Sequence, residues 1–494
     1  MFDDYRLKNK DFNKDESDRL KDQITAIQQK VREAGIPVII IFEGWSASGK
    51  GVAINGLINN LDPRGFRVYT TRKPTETEEK YPTMRRYWLE EPENGQIAIF
   101  DKSWYREVSN ALFESKKAQS HLNNRYEEIL DFENQEIARG CLIIKIFLDI
   151  SQETQQKRFK KLESNKTTQW RVTKANWIQN KNYKKYAQVF STMMEKTSRP
   201  RAEWHVIDGS QKKTTKNQIL DLVLQKIQYA LREKEKGVDI AALTPLLPQK
   251  IKTEPISLLS SINPNQMLLV DYKEELKRLN KRLSYLHNEL YQKKIPLVIG
   301  FEGWDAGGKG GAIRRLTHAL DPRGYTVTPI QAPTPREKSH QHLWRFYENL
   351  PKDGHIAVFD RTWYGRVMVE RIEGFCSESN WRRAFEEINH FEKLLTDHGA
   401  IVVKFWLQID KEEQLERFNK RKNTPEKQYK ITDEDWRNRE KWDIYENCVN
   451  EMLQKTHTKN APWIIIEANN KQFARIKIMR SVINQIEAKL KQAK

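Results

Sequence analysis

The feature that most constrains this chain of 494 residues is an internal repeat at a constant offset of 259 positions, the separation of Lys50 and Lys309. Residues 43–51 (EGWSASGKG) align with residues 302–310 (EGWDAGGKG), and the same shift places Asp101 on Asp360. An offset that persists without a gap through most of each half indicates a duplicated domain. Each copy is long enough to bury a core of its own. We call the two copies the first repeat and the second repeat.

The order of apolar and amphipathic segments within each repeat predicts the fold class. The predicted strands are 37–42, 96–100, 141–148 and 204–207 in the first repeat, and 296–301, 355–359, 400–407 and 463–466 in the second. Predicted helices follow them, at 53–60 and 312–320 among others, and leucines at three- and four-residue spacings predict a helix over 272–292. Short apolar strands alternating with helices indicate a doubly wound α/β fold, with helices on both faces of a parallel sheet.

The domain boundaries follow from where the repeat pattern stops. We expect a first domain over residues 15–230, a linker over 231–270 and a second domain over 271–490. The linker contains no periodic pattern and is interrupted by Pro245, Pro248, Pro255 and Pro264, so it is predicted to run along the surface.

Charge and cysteine content narrow the class of protein. The chain carries 86 Lys+Arg against 67 Asp+Glu, a net charge of +19, which favours a polyanionic partner such as nucleic acid, an anionic membrane surface or polyphosphate. A generally basic surface would give the same total. No apolar run approaches the roughly 20 residues of a membrane span, and the N-terminus lacks a signal-peptide pattern. Three cysteines without paired spacing favour reduced thiols, so a cytoplasmic location is expected.

A glycine-rich turn between a predicted strand and a predicted helix has the spacing of a Walker A phosphate loop. The predicted phosphate-binding residues are Gly303, Gly307, Gly308, Lys309 and Gly310. Glycines let backbone N–H groups turn towards a phosphate, and the loop lysine adds a full positive charge. The motif occurs twice, at aligned positions, which strongly favours phosphate binding.

The loop departs from the usual pattern at the residue that follows its lysine. Gly310 stands where nucleoside triphosphatases generally carry the Ser or Thr that holds magnesium. The available hard-oxygen ligands are Asp305, inside the loop, and Asp360, which ends an apolar strand in the manner of a Walker B aspartate. We therefore predict that these two carboxylates organise the metal.

Basic residues near this carboxylate predict phosphoryl-transfer chemistry. Arg361 and Arg366 follow Asp360 closely, and guanidinium groups can stabilise charge on a transferring phosphoryl group. A basic segment then runs from Arg417 to residue 430, where a nucleotide kinase would carry a mobile lid. The predicted lid residues are Lys420, Arg421, Lys427 and Lys430. For any single lysine among them, a solvated helix face remains an alternative.

Three stretches of the second repeat together resemble the polyphosphate kinase 2 family. They are residues 301–311 (FEGWDAGGKGG), residues 359–366 (FDRTWYGR) and the basic segment up to residue 430. The resemblance implies a thymidylate-kinase-like P-loop kinase fold with a helical lid, duplicated in tandem. It also implies transfer of phosphate between inorganic polyphosphate and a nucleotide, with Mg²⁺, or Mn²⁺ as the alternative metal. The tandem form resembles members that convert AMP to ADP, and assembly into a homo-oligomer is left open.

The same resemblance implies which residues are catalytic and shows that the repeats are unequal. The catalytic positions of the family fall on Asp305, Lys309, Asp360, Arg361 and Arg366. Their counterparts in the first repeat are Ser46, Lys50, Asp101, Lys102 and Glu107. Ser46 cannot replace the carboxylate of Asp305, and Glu107 places a negative charge where Arg366 has a positive one. We therefore expect the first domain to be catalytically degenerate.

Other functions fit parts of the pattern. An ATP-using nucleotide kinase would share the fold and the loop, and a polyphosphate-dependent conversion of ADP to ATP would share the donor. A nucleic-acid-binding protein would explain the charge, but no helix-turn-helix, zinc-finger or RNA-binding aromatic motif is present. The tryptophans recur at repeat-matched positions, which favours a core or site role over a stacking platform.

Overall fold

The computed structural model describes residues 2–109, 121–246 and 251–492, apart from the side chain of Lys430, and the chain divides into two compact units. The first unit comprises residues 1–73, 86–247 and 335–341, and the second comprises 74–85, 248–334 and 342–494. Each unit contains a five-stranded parallel sheet in its described residues. The predicted α/β fold, duplicated in tandem, is therefore confirmed.

The sheet of the first unit has the strand order β2-β3-β1-β4-β5. Its strands are β1 (Val38–Gly44), β2 (Phe66–Thr70), β3 (Ile97–Asp101), β4 (Leu142–Asp149) and β5 (Trp204–Asp208). Helices of the first repeat are α1 (Lys14–Ala34), α2 (Lys50–Ile58), α3 (Arg85–Trp88), α4 (Arg106–Ser109), α5 (Leu122–Ala138), α6 (Gln152–Glu163), α7 (Lys174–Lys181), α8 (Tyr183–Thr197), α9 (Lys212–Glu235) and α10 (Ile240–Leu243).

The sheet of the second unit repeats this arrangement, in the order β7-β8-β6-β9-β10. Its strands are β6 (Leu297–Gly303), β7 (Tyr325–Pro329), β8 (Ile356–Asp360), β9 (Ile401–Gln408) and β10 (Trp463–Glu467). Helices of the second repeat are α11 (Tyr272–Gln292), α12 (Lys309–Thr317), α13 (Pro335–Lys338), α14 (Trp344–Glu348), α15 (Val369–Ile372), α16 (Glu378–Asp397), α17 (Lys411–Lys422), α18 (Asp433–Glu440), α19 (Trp442–Thr456) and α20 (Lys471–Gln492).

Alternation along the central strands explains why helices cover both faces of the sheet. In β4, Ile144 and Ile146 join a core with residues of α1, α2 and α9. Lys145 points to the opposite face, where it contacts Glu133 of α5 and the end of α8. Successive side chains of a strand face opposite ways, so a strand buried on both faces requires a helical layer on each.

One strand in each repeat was absent from the sequence prediction. Phe66–Thr70 and Tyr325–Pro329 form an edge strand of their sheets, each paired in parallel with the strand that ends in the Walker B aspartate. In each, two residues are partly buried and three are exposed, so no continuous apolar run marks them. A strand at the sheet edge has a single paired neighbour and can be polar, which the apolar-run criterion does not detect.

A lysine is buried inside each unit by the same network of polar groups. Lys404 of β9 is 1% exposed in its side chain and forms an ion pair of 2.7 Å with Glu392. Its ammonium also donates to the Tyr364 hydroxyl and to the Thr456 carbonyl, both at 2.8 Å. Burial lowers the pKa of Lys404, and the Glu392 charge opposes that shift. The first unit repeats the network with Lys145, Glu133, Tyr105 and Thr197.

The segment predicted as a linker is mostly irregular in its described part. Its described residues contain the last turn of α9, which ends at Glu235, then α10 and a 3-10 turn at Leu259–Ser261, where Leu259 is buried. Within the described ranges, no helix combines the length and apolar character needed to cross a membrane.

Candidate functional site

The phosphate loop of the second unit joins β6 to α12 through a backbone that demands glycine. Gly303 has φ 145°, and a Cβ there would lie 2.7 Å from the Leu407 carbonyl oxygen. Gly308 has φ 107° and immediately precedes α12. At Gly307 a Cβ would come within 2.8 Å of the Trp304 carbonyl oxygen, whereas Gly310 faces open space. Three of the four predicted loop glycines are thus required by the backbone itself.

Lys309 lies in the first turn of α12, three residues earlier than the predicted start of that helix. Its ammonium donates to the carbonyl oxygens of Gly303 at 2.6 Å and Trp304 at 3.3 Å, so it is folded over the loop. Burial lowers the pKa of Lys309, and the charges of Asp305 and Asp360 oppose that shift. The loop therefore holds a positive charge where a phosphate group would be bound.

The Asp305 carboxylate is held from two sides. The Asn438 amide donates to Oδ2 at 2.9 Å, and the Arg361 guanidinium lies 3.3 Å from Oδ1. The Gln414 amide donates to the backbone oxygen of Asp305 at 3.1 Å. Asn438 and Gln414 were not identified from the sequence, because they lie more than a hundred positions along the chain and carry no motif. The repeat could have pointed to them, because the aligned residues of the first unit, Gln179 and Gln155, also carry amides and contact the phosphate loop of that unit.

Asp360 and Arg361 lie at the carboxyl end of β8, next to the strand that leads into the loop. Asp360 is in register with Phe301 of β6, and the Arg361 N–H donates to the Phe301 carbonyl oxygen at 3.0 Å. Arg361 has φ 65°, a left-handed conformation that is strained for a residue other than glycine. The structure thus brings together Asp305, Lys309, Asp360 and Arg361, four of the five predicted catalytic residues.

The fifth, Arg366, lies in a neighbouring ion-pair cluster. Its guanidinium donates to Glu370 at 2.6 Å, and its Nε is buried without a partner among the described residues. The Arg366 charge also helps to lower the pKa of His342, for which burial is the largest cause. Its contacts with described residues therefore lie beside the loop rather than in it.

Glu302 is a buried carboxyl that the sequence analysis did not single out. It accepts hydrogen bonds from both the N–H and the hydroxyl of Thr362, each at 2.7 Å. Burial raises its pKa, and the Thr362 and Lys309 contacts oppose the shift. The contact ties the start of the loop to the residues after Asp360, and Glu43 does the same with Ser103 in the first unit.

Arg417, at the start of the predicted basic segment, differs from the lid residues that follow it. Only 5% of it is exposed, and its guanidinium donates to Ala306 at 2.8 Å, Ala468 at 2.7 Å and Asn469 at 2.9 Å, all carbonyl oxygens. Arg417, which was not among the predicted lid residues, therefore braces the phosphate loop.

Of the predicted lid residues, Lys420 and Arg421 lie in the last turn of α17, and Lys427 and Lys430 lie in the 3-10 turn that follows it. Lys420 and Lys427 are exposed, whereas Arg421 is partly buried. Lys430 ends the 3-10 turn Pro425–Lys430, and its side chain is outside the described part of the structure. Burial lowers the pKa of Lys471, and the nearby charges of Arg417 and Lys420 also lower it, which places a cluster of cations beside the loop.

Asp435 of α18 is a further carboxyl near Asp305 that the sequence analysis did not single out. Burial raises the pKa of Asp435, and the neighbouring Asp305 charge raises it further. Among the described residues no group of three or more His, Cys, Asp or Glu side chains forms a metal site. The carboxylates of Asp305 and Asp360 nevertheless fit Mg²⁺, which commonly binds one or two carboxylates together with substrate phosphates and water.

The first unit keeps the loop but changes the chemistry around it. The Lys50 ammonium donates to Gly44 at 3.0 Å and Trp45 at 2.9 Å, and burial lowers its pKa to about 8. Ser46 replaces the loop carboxylate, and its hydroxyl accepts from the Asn176 amide at 2.9 Å. The loop backbone is therefore maintained without the carboxylate.

The second change in the first unit lies at the carboxyl end of β3, the strand that ends at Asp101. Lys102 keeps the left-handed backbone of Arg361, with φ 61°, and Asp101 has one buried oxygen without a partner among the described residues. Glu107 forms an ion pair of 3.0 Å with Arg86, and both side chains are largely buried. The aligned residues of the second unit are both arginines, Arg366 and Arg345. These two positions therefore carry opposite charges in the first unit, whereas both carry a positive charge in the second.

Comparisons with known proteins agree with this geometry. A sequence model of the polyphosphate kinase 2 family matches residues 7–235 and 268–494. A polyphosphate:AMP phosphotransferase of Pseudomonas aeruginosa is 39% identical over 464 residues, which cover 94% of this chain and 93% of the relative. An enzyme of the same name from Acinetobacter johnsonii is 35% identical over 454 residues, covering 91% of each chain. A crystal structure from P. aeruginosa PA01, assigned to polyphosphate kinase 2, superposes with a TM-score of 0.87 at 36% identity and covers all of both chains.

Proposed function

Since the chain belongs to the polyphosphate kinase 2 family, we propose that it transfers the terminal phosphate of inorganic polyphosphate to AMP, giving ADP, and that the reaction is reversible. The observation that carries the proposal is the convergence of Asp305, Lys309, Asp360 and Arg361 in the second unit. The choice of AMP as acceptor rests on the relatives that share both repeats over more than 90% of their length.

The proposed chemistry needs positioning and charge rather than a covalent intermediate. An oxygen of the AMP phosphate attacks the terminal phosphorus of the polyphosphate chain, and the bond from that phosphorus to the bridging oxygen breaks. The shortened chain leaves with the bonding electrons. Lys309 and the loop N–H groups hold the phosphates of the donor, and Arg361 stabilises the negative charge on the transferring group.

A divalent metal suits a phosphotransferase of this family, and we infer that it is Mg²⁺, with Mn²⁺ as the alternative. Asp305 and Asp360 would hold it, and the metal would neutralise charge on the phosphates. Asn438 and Arg361 keep the Asp305 carboxylate oriented, so the ligand is already in place before substrate binds. The thiols of Cys141, Cys376 and Cys448 are all free, which supports a cytoplasmic location.

The domain organisation is part of the proposal. We assign catalysis to residues 271–490 and treat residues 15–230 as a degenerate copy joined to them by the linker 231–270. Support comes from the Arg86–Glu107 ion pair, which removes positive charge from the first site, and from Ser46, which replaces a metal-binding carboxylate.

The test of the proposed reaction is ADP formation from AMP with polyphosphate and Mg²⁺ and no nucleoside triphosphate. Products would be separated by ion-exchange chromatography, and parallel reactions would contain GMP or ADP as the acceptor. ADP from AMP supports the proposal. ATP formed only from ADP would indicate the related diphosphate reaction, and turnover only with ATP as donor would indicate an ordinary nucleotide kinase.

Removing two cations of the lid is expected to slow turnover without unfolding the protein. Lys420→Ala combined with Arg421→Ala should lower kcat roughly ten-fold or more, because a closed lid brings positive charge to the phosphates. Steady-state kinetics with AMP and polyphosphate would measure the loss, and circular dichroism would check the fold. The matched control is Lys160→Ala with Lys161→Ala on the aligned helix of the first unit. Normal kcat and KM in the lid variant would remove the lid assignment.

A further inference from the structure

The first unit contains a cavity of about 390 Å³ between α2 and the start of α9. It extends from the end of the phosphate loop, at Ser48 and Gly49, along the side of α2 to Asn59. Lys212, Lys213 and Lys216 line the opposite wall. The cavity thus combines a phosphate-loop end with three cations, in a repeat whose catalytic side chains have changed.

Ser48, which lines the cavity, carries a buried hydroxyl without a hydrogen-bond partner among the described residues. Ser48 is 2% exposed, and its hydroxyl forms no hydrogen bond with the residues that the structure describes. Buried hydroxyl groups in proteins are nearly always hydrogen-bonded, so an unpaired one in a cavity wall indicates a ligand that completes it. The aligned residue of the second repeat is Gly307, so the hydroxyl is particular to the first.

The lysines lie at a helix N-terminus, a position where the helix dipole favours an anion over a cation. The first turn of α9 carries no acidic residue, although the positive end of a helix dipole favours Asp or Glu and disfavours cations. Lys212 and Lys213 nevertheless lie in that turn, and Lys216 follows one turn later. The N-terminus of α2, which begins at Lys50, borders the same cavity. Two helix N-termini with adjacent lysines form a strong anion-binding surface.

Two features show that the cavity is held in shape. The Arg158 guanidinium donates to the Ala47 and Ser48 carbonyl oxygens on one side, at 3.0 and 2.9 Å. On the other side it donates to the Gly209 and Ser210 carbonyl oxygens, at 2.8 and 2.9 Å, and so joins the loop to the start of α9. In addition, the stem of Lys216 packs across α2, where a Cβ at position 56 would lie 3.1 Å from its Cγ.

We propose that this cavity binds a condensed phosphate chain and holds it on the first repeat without transferring phosphate. The inference rests on the proposed function for its choice of polyanion. The Ser48 hydroxyl donates to a phosphate oxygen, and Lys212, Lys213 and Lys216 neutralise successive phosphates. Inorganic polyphosphate and the triphosphate of a nucleotide share this chemistry, and the experiment separates them.

The test is a calorimetric titration of the full chain with polyphosphate of defined length, at low ionic strength and without AMP. Two classes of site are expected for the unmodified protein. Lys212→Ala, Lys213→Ala and Lys216→Ala together should weaken one class roughly ten-fold or more, because three cations facing a polyanion are removed. The matched control removes three cations from the far end of the same helix, through Arg232→Ala, Lys234→Ala and Lys236→Ala, and should retain both classes.

A second variant separates ligand binding from stability. Ser48→Ala should leave the Tm of the free protein unchanged or higher, because it removes an unpaired buried hydroxyl, while the rise in Tm caused by polyphosphate becomes smaller. Titration with ATP identifies the occupant: competition for the sensitive class assigns it to nucleotide triphosphates, and its absence assigns it to inorganic polyphosphate. Two unchanged classes in the triple lysine variant, or the same loss in the control, would overturn the proposal. Binding is measured without turnover, so a failed phosphotransfer assay would be a separate result.

Discussion

Lys309→Ala and Asp305→Ala are each expected to abolish most AMP phosphorylation by the whole protein. The first change removes the cation folded over the phosphate loop, and the second removes a carboxylate held by Asn438 and Arg361. Loss of one group directed at transition-state charge typically lowers the rate on the order of 10²-fold or more, about 3 kcal/mol. The measurement is kcat at saturating AMP and polyphosphate, with folding checked by circular dichroism.

Lys50→Ala is the matched control, because Lys50 makes the same two loop contacts in the first unit. Its kcat should remain within a few-fold of the unmodified protein, since we propose that the second unit carries the transfer and the first has Ser46 and Glu107 in place of Asp305 and Arg366. If Lys50→Ala and Lys309→Ala each removed about half of the activity, both units would be catalytic, and the assignment of a degenerate first repeat would be wrong.

Lys404→Met is expected to destabilise the second unit strongly while leaving the phosphate loop untouched. The substitution removes the cation and leaves the Glu392 carboxyl buried, where the Tyr364 hydroxyl and the Trp363 indole still donate to it. Breaking a buried ion pair by deleting one partner typically costs about 3–5 kcal/mol, a large part of a domain's total stability. Urea unfolding followed by tryptophan fluorescence would measure the loss, since Lys404 lies 5.0 Å from the Trp463 ring.

A double substitution tests whether the loss comes from an unpaired charge. Glu392→Gln added to Lys404→Met removes the negative charge and keeps an oxygen that can accept from Tyr364 and Trp363. The double variant should therefore recover part of the lost stability. Losses that simply add would show that the two charges are not coupled, and the buried pair would then be two independent packing groups.

Much of the fold could be predicted because the duplication makes each strand and loop pattern occur twice in the sequence. The loop and the strand that ends at Asp360 combine short apolar runs with glycine, and both patterns recur at one offset. The edge strands could not be found in this way, because most of their residues are exposed and no apolar run marks them. The lysine at position 404 sits within an otherwise apolar strand, and nothing local reveals that Glu392 and Thr456 neutralise it.

The candidate site could likewise be predicted where local motifs carry the residues, and not where distant helices supply them. Asp305, Lys309, Asp360 and Arg361 belong to two local motifs, and parallel strands bring those motifs to one edge of the sheet. Asn438 and Arg417 reach the loop from distant helices, so their contacts depend on tertiary packing. The role of Arg417 could not be predicted, because a basic sequence indicates positive charge but not whether that charge faces solvent or a set of backbone carbonyls.

The shared backbone of the two loops has an evolutionary consequence. Lys102 and Arg361 are both left-handed, with φ of 61° and 65°, as are Ala47 and Ala306, with φ of 57° and 60°. Divergence after the duplication therefore changed side chains near the loops and left the strained backbone in place. Left-handed backbone is costly at residues other than glycine, and phosphate binding without transfer would suffice to keep such turns in the first copy. The loop backbone thus differs less between the two repeats than the side chains around it do.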